Sequence, residues 1–231
     1  MPTIHDEEFG NITIRRSARA SQVRLRVAPD GNLRASLPMY APIFLVKRLL
    51  KTSRNELRTI VNEARPTTVY ENGMVIGKSH SLIIRPILGD NTRVSIHGQQ
   101  ILIHLPPTQS LSDDTVIRLI RDNVIAALRK EAKSYLPKRL AFLANKYNYN
   151  YQKVRFSHAS GRWGSCSSSG TISLNIALMK LPFELIDYVI FHELSHTKHM
   201  NHSQEFWDQV SLGDPKYKIH RQALKLENPS I

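Results

Sequence analysis

Alternating polar and apolar positions in the first third of the chain predict β-strands over residues 11–16, 22–27 and 32–37. Asp30-Gly31, between the second and third runs, predicts a hairpin turn. From residue 43 to about residue 64 the apolar side chains recur at helical spacing, which predicts a helix. The chain therefore begins with a small sheet followed by helix.

A second group of strands is predicted over residues 81–85, 92–96 and 100–104, after a turn at Glu71-Asn72-Gly73. Pro106-Pro107 ends this group, because proline interrupts both strands and helices. We place a boundary there, between a β-rich N-terminal part at 1–108 and a helical catalytic part at 109–231. The alternative, that both parts form one continuous domain, stays open.

The C-terminal part is predicted to be mainly helical. Apolar periodicity indicates a long helix over 113–147, with Pro137 as a possible break, and shorter helices over 182–199, 203–210 and 215–226. Two short strands, 154–156 and 171–175, flank a Gly/Ser-rich segment at 161–170 that is expected to be a loop. No internal repeat is apparent. The pattern as a whole predicts an α+β fold.

Composition restricts the function classes. The chain has 231 residues, 41% of them hydrophobic, which suits a globular protein. A single cysteine, Cys166, excludes an internal disulfide and a Cys-x-x-Cys zinc site. There is no signal sequence and no apolar run long enough to cross a bilayer, so we expect a cytoplasmic protein without membrane contact.

The net charge of +13 favours attraction to nucleic acid at low salt. Dispersed, solvated basic residues explain the same number equally well, and no nucleic-acid recognition motif is present. Non-specific nucleic-acid binding therefore stays one of two interpretations of the charge.

His192-Glu193-Leu194-Ser195-His196 fits the pattern His-Glu-x-x-His. On a helix, residues i and i+4 share a face, so the two imidazoles can bind one metal ion. Zn²⁺ suits such ligands and lowers the pKa of a bound water, from which Glu193 can take a proton. The motif therefore predicts a hydrolytic zinc site.

Three residues could supply a third ligand: His199, His202 and Glu205. We favour His202, because it follows the polar break Met200-Asn201, where the chain can turn back towards the metal. His199 is then a polar neighbour. A metzincin is rejected, since His199 stands where that pattern has glycine and no methionine follows Met200.

A series of segments resembles the YgjP-like metallopeptidases, which are related to the SprT-like proteases. The segments are 162–167 (RWGSCS), 172–175 (ISLN), 181–182 (LP), 186–190 (IDYVI), 192–196 (HELSH) and 201–207 (NHSQEFW). The resemblance implies a zincin-type core, with a small sheet packed on the metal helix and the Arg162–Ser167 segment near the site. It implies His192, His196 and His202 as zinc ligands and Glu193 as general base. It names no substrate.

The leading hypothesis is a zinc-dependent metallopeptidase that acts on a peptide or protein through a zinc-activated water. The alternative is a nucleic-acid-associated protein with a structural or latent metal site, and a protease recruited to DNA would combine the two. The sequence leaves the oligomeric state open.

Five other residues are candidates for a role at the site. For Trp163 and Trp207 we favour aromatic packing over substrate contact. For Cys166 we favour an inert thiol, because no His-Asp pattern surrounds it. Tyr217 and His220 are weak candidates for a donor to the transition state, against ordinary packing.

Overall fold

The computed structural model describes residues 2–18, 20–27, 33–64 and 69–231, the side chains of 62–64 excepted. The chain divides into two compact units, Met1–Thr68 and Val69–Ile231. The predicted turn at Asp30-Gly31 lies outside the described residues. Helices and small mixed sheets make up the molecule, so the α+β prediction with a β-rich N-terminal part is confirmed.

The first unit is a four-stranded sheet followed by two helices. Its strands are β1 (Thr3–Asp6), β2 (Gly10–Ser17), β3 (Arg24–Val27) and β4 (Leu33–Pro38), in the order β1-β2-β4-β3. Only the β2–β4 pair is parallel. Two helices, α1 (Phe44–Thr52) and α2 (Arg54–Ala64), replace the single predicted helix, because the chain leaves helical geometry at Ser53.

Alternation in the first sheet buries one face, as the pattern predicts. Ile12, Ile14, Ala35 and Leu37 are inaccessible or nearly so, and share a core cluster with Val46 of α1. Strand β1 was not predicted from the sequence. Its end and the turn after it are tied to α2 by ion pairs of Asp6 and Glu8 with Arg54, at 2.8 and 3.1 Å.

The second unit contains two sheets. Strands β5 (Val75–Ile76), β6 (His80–Pro86), β7 (Arg93–His97) and β8 (Gln100–Leu105) form the larger one. Strands β9 (Lys153–Ser157), β10 (Gly164–Cys166) and β11 (Thr171–Asn175) form the smaller one, in the order β10-β11-β9. Strand β10 is antiparallel and β9 parallel to β11.

Five helical segments complete the second unit. They are α3 (Asp114–Lys146), a 3-10 helix (Ile176–Lys180), α4 (Phe183–Ser195), α5 (Gln204–Gly213) and α6 (Tyr217–Lys225).

The two four-stranded sheets share one topology, although the sequence shows no repeat. The larger sheet of the second unit has the order β5-β6-β8-β7, and again only its central pair, β6–β8, is parallel. In both units an α-helix follows the fourth strand along the chain. The two sheets therefore share the order and direction of their strands, while their amino-acid sequences differ.

Helix α3 is the central element of the second unit. Ile120 and Leu128 belong to one buried cluster with Leu82 and Ile101 of the sheet and Ile186 of α4. Because that core includes both sheets, the predicted boundary at Pro106-Pro107 lies inside the second unit, between β8 and α3. Among the described residues, no helix has both the length and the hydrophobicity to cross a membrane.

Helix α3 continues through Pro137. An internal proline costs about 3 kcal/mol through a lost backbone hydrogen bond and a steric clash. Leu136, which precedes Pro137, and Leu140, one turn later, are both completely buried. Burying one leucine side chain stabilises by about 1.5–3 kcal/mol, so packing at this turn offsets the cost.

A buried cluster of hydrogen bonds joins α3 to β6. The Glu131 carboxylate accepts hydrogen bonds from the Lys78 and Ser79 backbone N–H groups at 2.7 and 2.9 Å, and its Oε1 lies 2.6 Å from His80 Nδ1. Burial alone would raise the pKa of Glu131, but these hydrogen bonds outweigh it and hold the pKa below its ordinary value. Gly77 has φ +65°, and a Cβ there would lie 2.2 Å from Glu131 Oε2.

We expect Glu131→Ala to destabilise the second unit by about 1.5–3 kcal/mol, because it removes the charged acceptor that buried His80 and the Lys78 and Ser79 N–H groups share. A carboxylate with a lowered pKa stabilises the fold above its unfolded pKa, near 4.5, and this contribution is lost as the pH falls through the folded value. Urea denaturation at neutral and acidic pH measures both effects. Asp122→Ala, at an exposed position of the same helix, is the control. Equal losses in the two variants would contradict the prediction.

Candidate metal centre

The end of α4 and the turn after it position the histidine motif. His192 and Glu193 lie in the last turn of α4, and His196 caps it. The helix ends at Ser195, earlier than predicted, and the His199 N–H bonds to the Ser195 carbonyl at 2.9 Å. The chain then reverses before α5 starts at residue 204. This reversal brings His202 back to the face that carries His192 and His196.

Three imidazoles converge at this point. The rings of His192, His196 and His202 have centroid separations of 4.8–5.1 Å, and ring nitrogens of all three lie within 4.8 Å of one another. His192 Nε2 and His202 Nε2 are 3.2 Å apart. Among the described residues this is the one group that could hold a metal ion, and it includes neither His199 nor Glu205.

His199 contributes its main chain instead. His196 Nδ1 lies 3.1 Å from the His199 carbonyl oxygen, so Nδ1–H is the donor and Nε2 keeps its lone pair for a ligand. A second hydrogen bond of this kind commonly fixes the tautomer and orientation of a metal-binding histidine. His199 therefore contacts the cluster through its carbonyl oxygen, and its ring is not one of the three that converge.

An aromatic layer supports the imidazoles. Phe206 of α5 is completely buried, and its ring centroid lies 4.5–4.9 Å from those of all three histidines. Trp207 stacks on His202 with centroids 5.7 Å apart. Sequence reasoning did not single out Phe206, because one aromatic residue in an amphipathic helix looks like any other core residue. Its effect is to keep water from one side of the cluster and to restrict ring rotation.

The charge state of the cluster suits a cation. Burial, reinforced by His196, His202 and Arg221, lowers the pKa of His192 to about 3. Burial also lowers the pKa of His196. Both rings are therefore neutral at neutral pH, the form in which imidazole binds metal.

Glu193 presents a buried carboxylate. Glu193 is 5% exposed, and its Oε2 has no hydrogen-bond partner among the described residues. Burial raises the pKa of Glu193 to about 8, against the opposing charge of Arg162. An unpartnered buried oxygen in the residue next to His192 lacks the cation or the donor that would normally compensate it.

Strand β10 lies directly against this carboxylate. A Cβ at Gly164 would be 2.6 Å from Glu193 Oε1, so only glycine allows the approach. Asn175 holds the preceding loop, since its Nδ2 donates to the Ala159 and Arg162 carbonyls at 2.7 and 2.9 Å. The Arg162–Ser167 segment thus lies near the site, as the resemblance implies, although it contains a strand where a loop was predicted.

The comparison with known families decides the class. The family model described as YgjP-like, metallopeptidase domain, matches residues 21–227. The chain belongs to the YgjP-like metallopeptidases. Membership places it among metal-dependent peptidases as a class and implies a divalent metal. No curated protein matches the chain significantly.

One solved structure is similar over part of the chain, the metallopeptidase zymogen of Pyrococcus abyssi abylysin. It is 26% identical, and the match covers 38% of this chain and 90% of that one. Its TM-score is 0.36, which is too low to indicate a shared overall fold.

The other candidate residues of this YgjP-like metallopeptidase have environments that are accounted for by burial or by contacts with neighbouring side chains. Burial, with the charge of Glu193, raises the pKa of the Cys166 thiol, which keeps it protonated and unreactive at neutral pH. His220 Nδ1 lies 2.7 Å from Asp214 Oδ2. Tyr217 stacks on Trp207 with centroids 5.4 Å apart. The packing role favoured for Trp207 agrees with these contacts.

Proposed function

We propose that the chain is a zinc-dependent peptidase in which His192, His196 and His202 hold Zn²⁺ and Glu193 is the general base. The observation that carries the proposal is the convergence of three imidazoles, one of them next in sequence to Glu193, whose buried Oε2 has no partner among the described residues. Three protein ligands with an open fourth position are typical of catalytic zinc. Zinc bound there would polarise a peptide carbonyl and acidify water.

The side chains of the protein then have separate tasks. Glu193 accepts a proton from the attacking water and passes it to the nitrogen of the leaving amine. Phe206 excludes bulk water from one side of the cluster. The His199 carbonyl holds the ring of His196 in one orientation.

Strand β10 supports a peptide as the substrate. Trp163 and Ser167 bond to β11 through their main chains: the Trp163 carbonyl accepts a hydrogen bond of 2.8 Å and the Ser167 N–H donates one of 3.0 Å. Because such bonds alternate along an antiparallel strand, the main-chain groups of Gly164 and Cys166 face the other edge of β10. Among the described residues that edge has no partner strand. An extended peptide can add to such an edge through its main chain. Because Gly164 also touches Glu193, a peptide bound there would lie beside the general base.

The direct test is cleavage of a mixed peptide library by protein stripped of metal with a chelator and then restored with zinc. We expect products, identified by mass spectrometry, from the zinc-restored protein and none from the stripped protein. Full activity without metal would refute the proposal. So would a protein that binds one zinc ion and cleaves no peptide in the library or in unfolded casein.

Gly164→Ala tests the contact between β10 and Glu193. The added Cβ would lie 2.6 Å from Glu193 Oε1, so the carboxylate or the strand must move. We expect kcat for peptide cleavage to fall by about 10²-fold, since displacing a catalytic group by 1 Å has an effect of that size. Metal content should be unchanged. Gly161→Ala is the matched control, because a Cβ there meets no atom within 4 Å.

A further inference from the structure

A basic cavity adjoins the histidine cluster. It has a volume of about 270 Å³ and is lined by one residue of α5 and five of α6, namely Trp207, Tyr217, Lys218, Arg221, Gln222 and Lys225. Trp207 joins this Trp207–Arg221 cavity to the metal centre, since its ring lies 5.7 Å from that of His202 and 5.9 Å from that of His192. A group in the cavity is therefore one aromatic ring away from the imidazoles.

The cavity carries three cationic residues and no acidic one. Lys218, Arg221 and Lys225 are exposed and lie at helical spacing on one face of α6. None of them forms an ion pair with a carboxylate within the described part of the chain. Asp214, the acidic residue that precedes α6, is buried and engaged by His220 at 2.7 Å. The positive charge of the cavity is thus left uncompensated.

Arg221 is held in place without a salt bridge. Its guanidinium carbon lies 4.5 Å from the centre of the Trp207 ring, and Tyr217 stacks on the same indole with an interplanar angle of 15°. Stacking restricts the guanidinium while leaving its N–H groups free to donate. A planar fork of donors held in this way matches a carboxylate, which can accept two parallel hydrogen bonds.

We propose that the Trp207–Arg221 cavity is a specificity subsite that binds an acidic side chain, Asp or Glu, of the peptide substrate close to the scissile bond. The assignment rests on the proposed peptidase function, since it describes the substrate of that site. Arg221 binds the carboxylate, and Lys218 and Lys225 add long-range attraction.

A carboxylate fits these residues better than a nucleic acid does. In proteins that bind single-stranded nucleic acid, the bases stack on open aromatic faces. The Trp207 indole already has Tyr217, His202 and the Arg221 guanidinium against it, so little ring face is left for a base. One small cavity beside the imidazoles accommodates one side chain, whereas a phosphate backbone needs a continuous basic track.

Matched peptides test the subsite through catalysis. The test compares acetylated octapeptides that differ only in having Glu or Gln at one of the four central positions. We expect kcat/KM for the Glu peptide to exceed that for the Gln peptide by about tenfold at one position, as for a charge-assisted hydrogen bond worth about 1.4 kcal/mol. Arg221→Ala should abolish the preference. Lys133→Glu, an exposed charge change on α3 outside the cavity, should retain it.

Binding tests the same subsite without cleavage. The chain has two tryptophans, so Trp163→Phe leaves Trp207 as the sole tryptophan, and its fluorescence can be excited selectively over that of tyrosine. In that background, Glu193→Gln slows turnover enough for a short titration, which gives the dissociation constants of the two peptides. We expect the Glu peptide to bind about tenfold more tightly than the Gln peptide, and Arg221→Ala to remove the difference.

The outcomes separate the two proposals. Tighter binding of the Glu peptide without any cleavage supports the subsite and counts against the peptidase. Cleavage with equal affinity and equal kcat/KM for both peptides overturns the subsite alone. If a DNA duplex quenches Trp207 fluorescence, and Arg221→Ala weakens DNA while the two peptides bind equally, the cavity is a nucleic-acid site and the proposal is wrong.

Discussion

Glu193→Gln is expected to lower kcat/KM for peptide cleavage by about 10³-fold, within the range that a positioned general base contributes. Glutamine keeps the size and shape of the side chain, so β10 and Gly164 can stay in place against it. It cannot accept the proton of the attacking water. The loss should therefore fall on kcat, measured with a quenched fluorescent peptide, while metal content stays at the wild-type value.

Glu205→Gln is the matched control for this variant. Glu205 stands in the first turn of α5, two residues before Trp207, but is exposed and outside the histidine cluster. We expect its kcat/KM to remain within about twofold of wild type, as for a surface substitution. If Glu193→Gln retained full activity with zinc bound, another group would have to be the base.

Removal of the imidazoles should remove the metal. We expect about one zinc ion per chain in the wild type and almost none in His192→Ala or His196→Ala, because two nitrogen ligands rarely retain catalytic zinc. His202→Ala should weaken zinc binding by about 10²-fold or more, since loss of even a supporting partner of a ligand costs 10–100-fold. Mass spectrometry of metal content and competition with a chelating dye measure these values.

His199→Ala separates the candidates for the third ligand. His196 Nδ1–H donates to the main-chain carbonyl of His199, which alanine also provides. Zinc affinity should therefore stay close to the wild-type value. Loss of zinc in His199→Ala together with retention in His202→Ala would show that His199 is the ligand. Retention of zinc by the His192→Ala, His196→Ala double variant would refute the site altogether.

The cluster could be predicted from the sequence because its geometry is local. His192 and His196 share a face through the pitch of one helix, and a polar break four residues beyond His196 signals the reversal that returns His202. The predicted helix was too long by several residues. That error did not affect the prediction of the cluster, since the chain still reverses between the end of α4 and His202.

Contacts between distant segments left no comparable signal. Gly164-Ser165-Cys166 has weak strand preference and becomes β10 only through pairing with β11. Glu131 and His80 are 51 residues apart and lie in different elements. Arg221 was one of many dispersed basic residues until the fold placed it over Trp207. In each case packing, and not local preference, decides the role of the residue.

Helix α3 has a consequence for how the protein can be divided. Its 33 residues extend for about 50 Å, at 1.5 Å per residue, and bury side chains against both the β5–β8 sheet and α4. A fragment that starts at residue 109 would expose Ile120 and Leu128 to water, and we expect it to aggregate. A fragment that starts at residue 69 keeps that surface covered. The larger sheet and the peptidase centre should therefore unfold as one cooperative unit, so that a lesion in β6 or β8 reduces activity through the population of folded molecules.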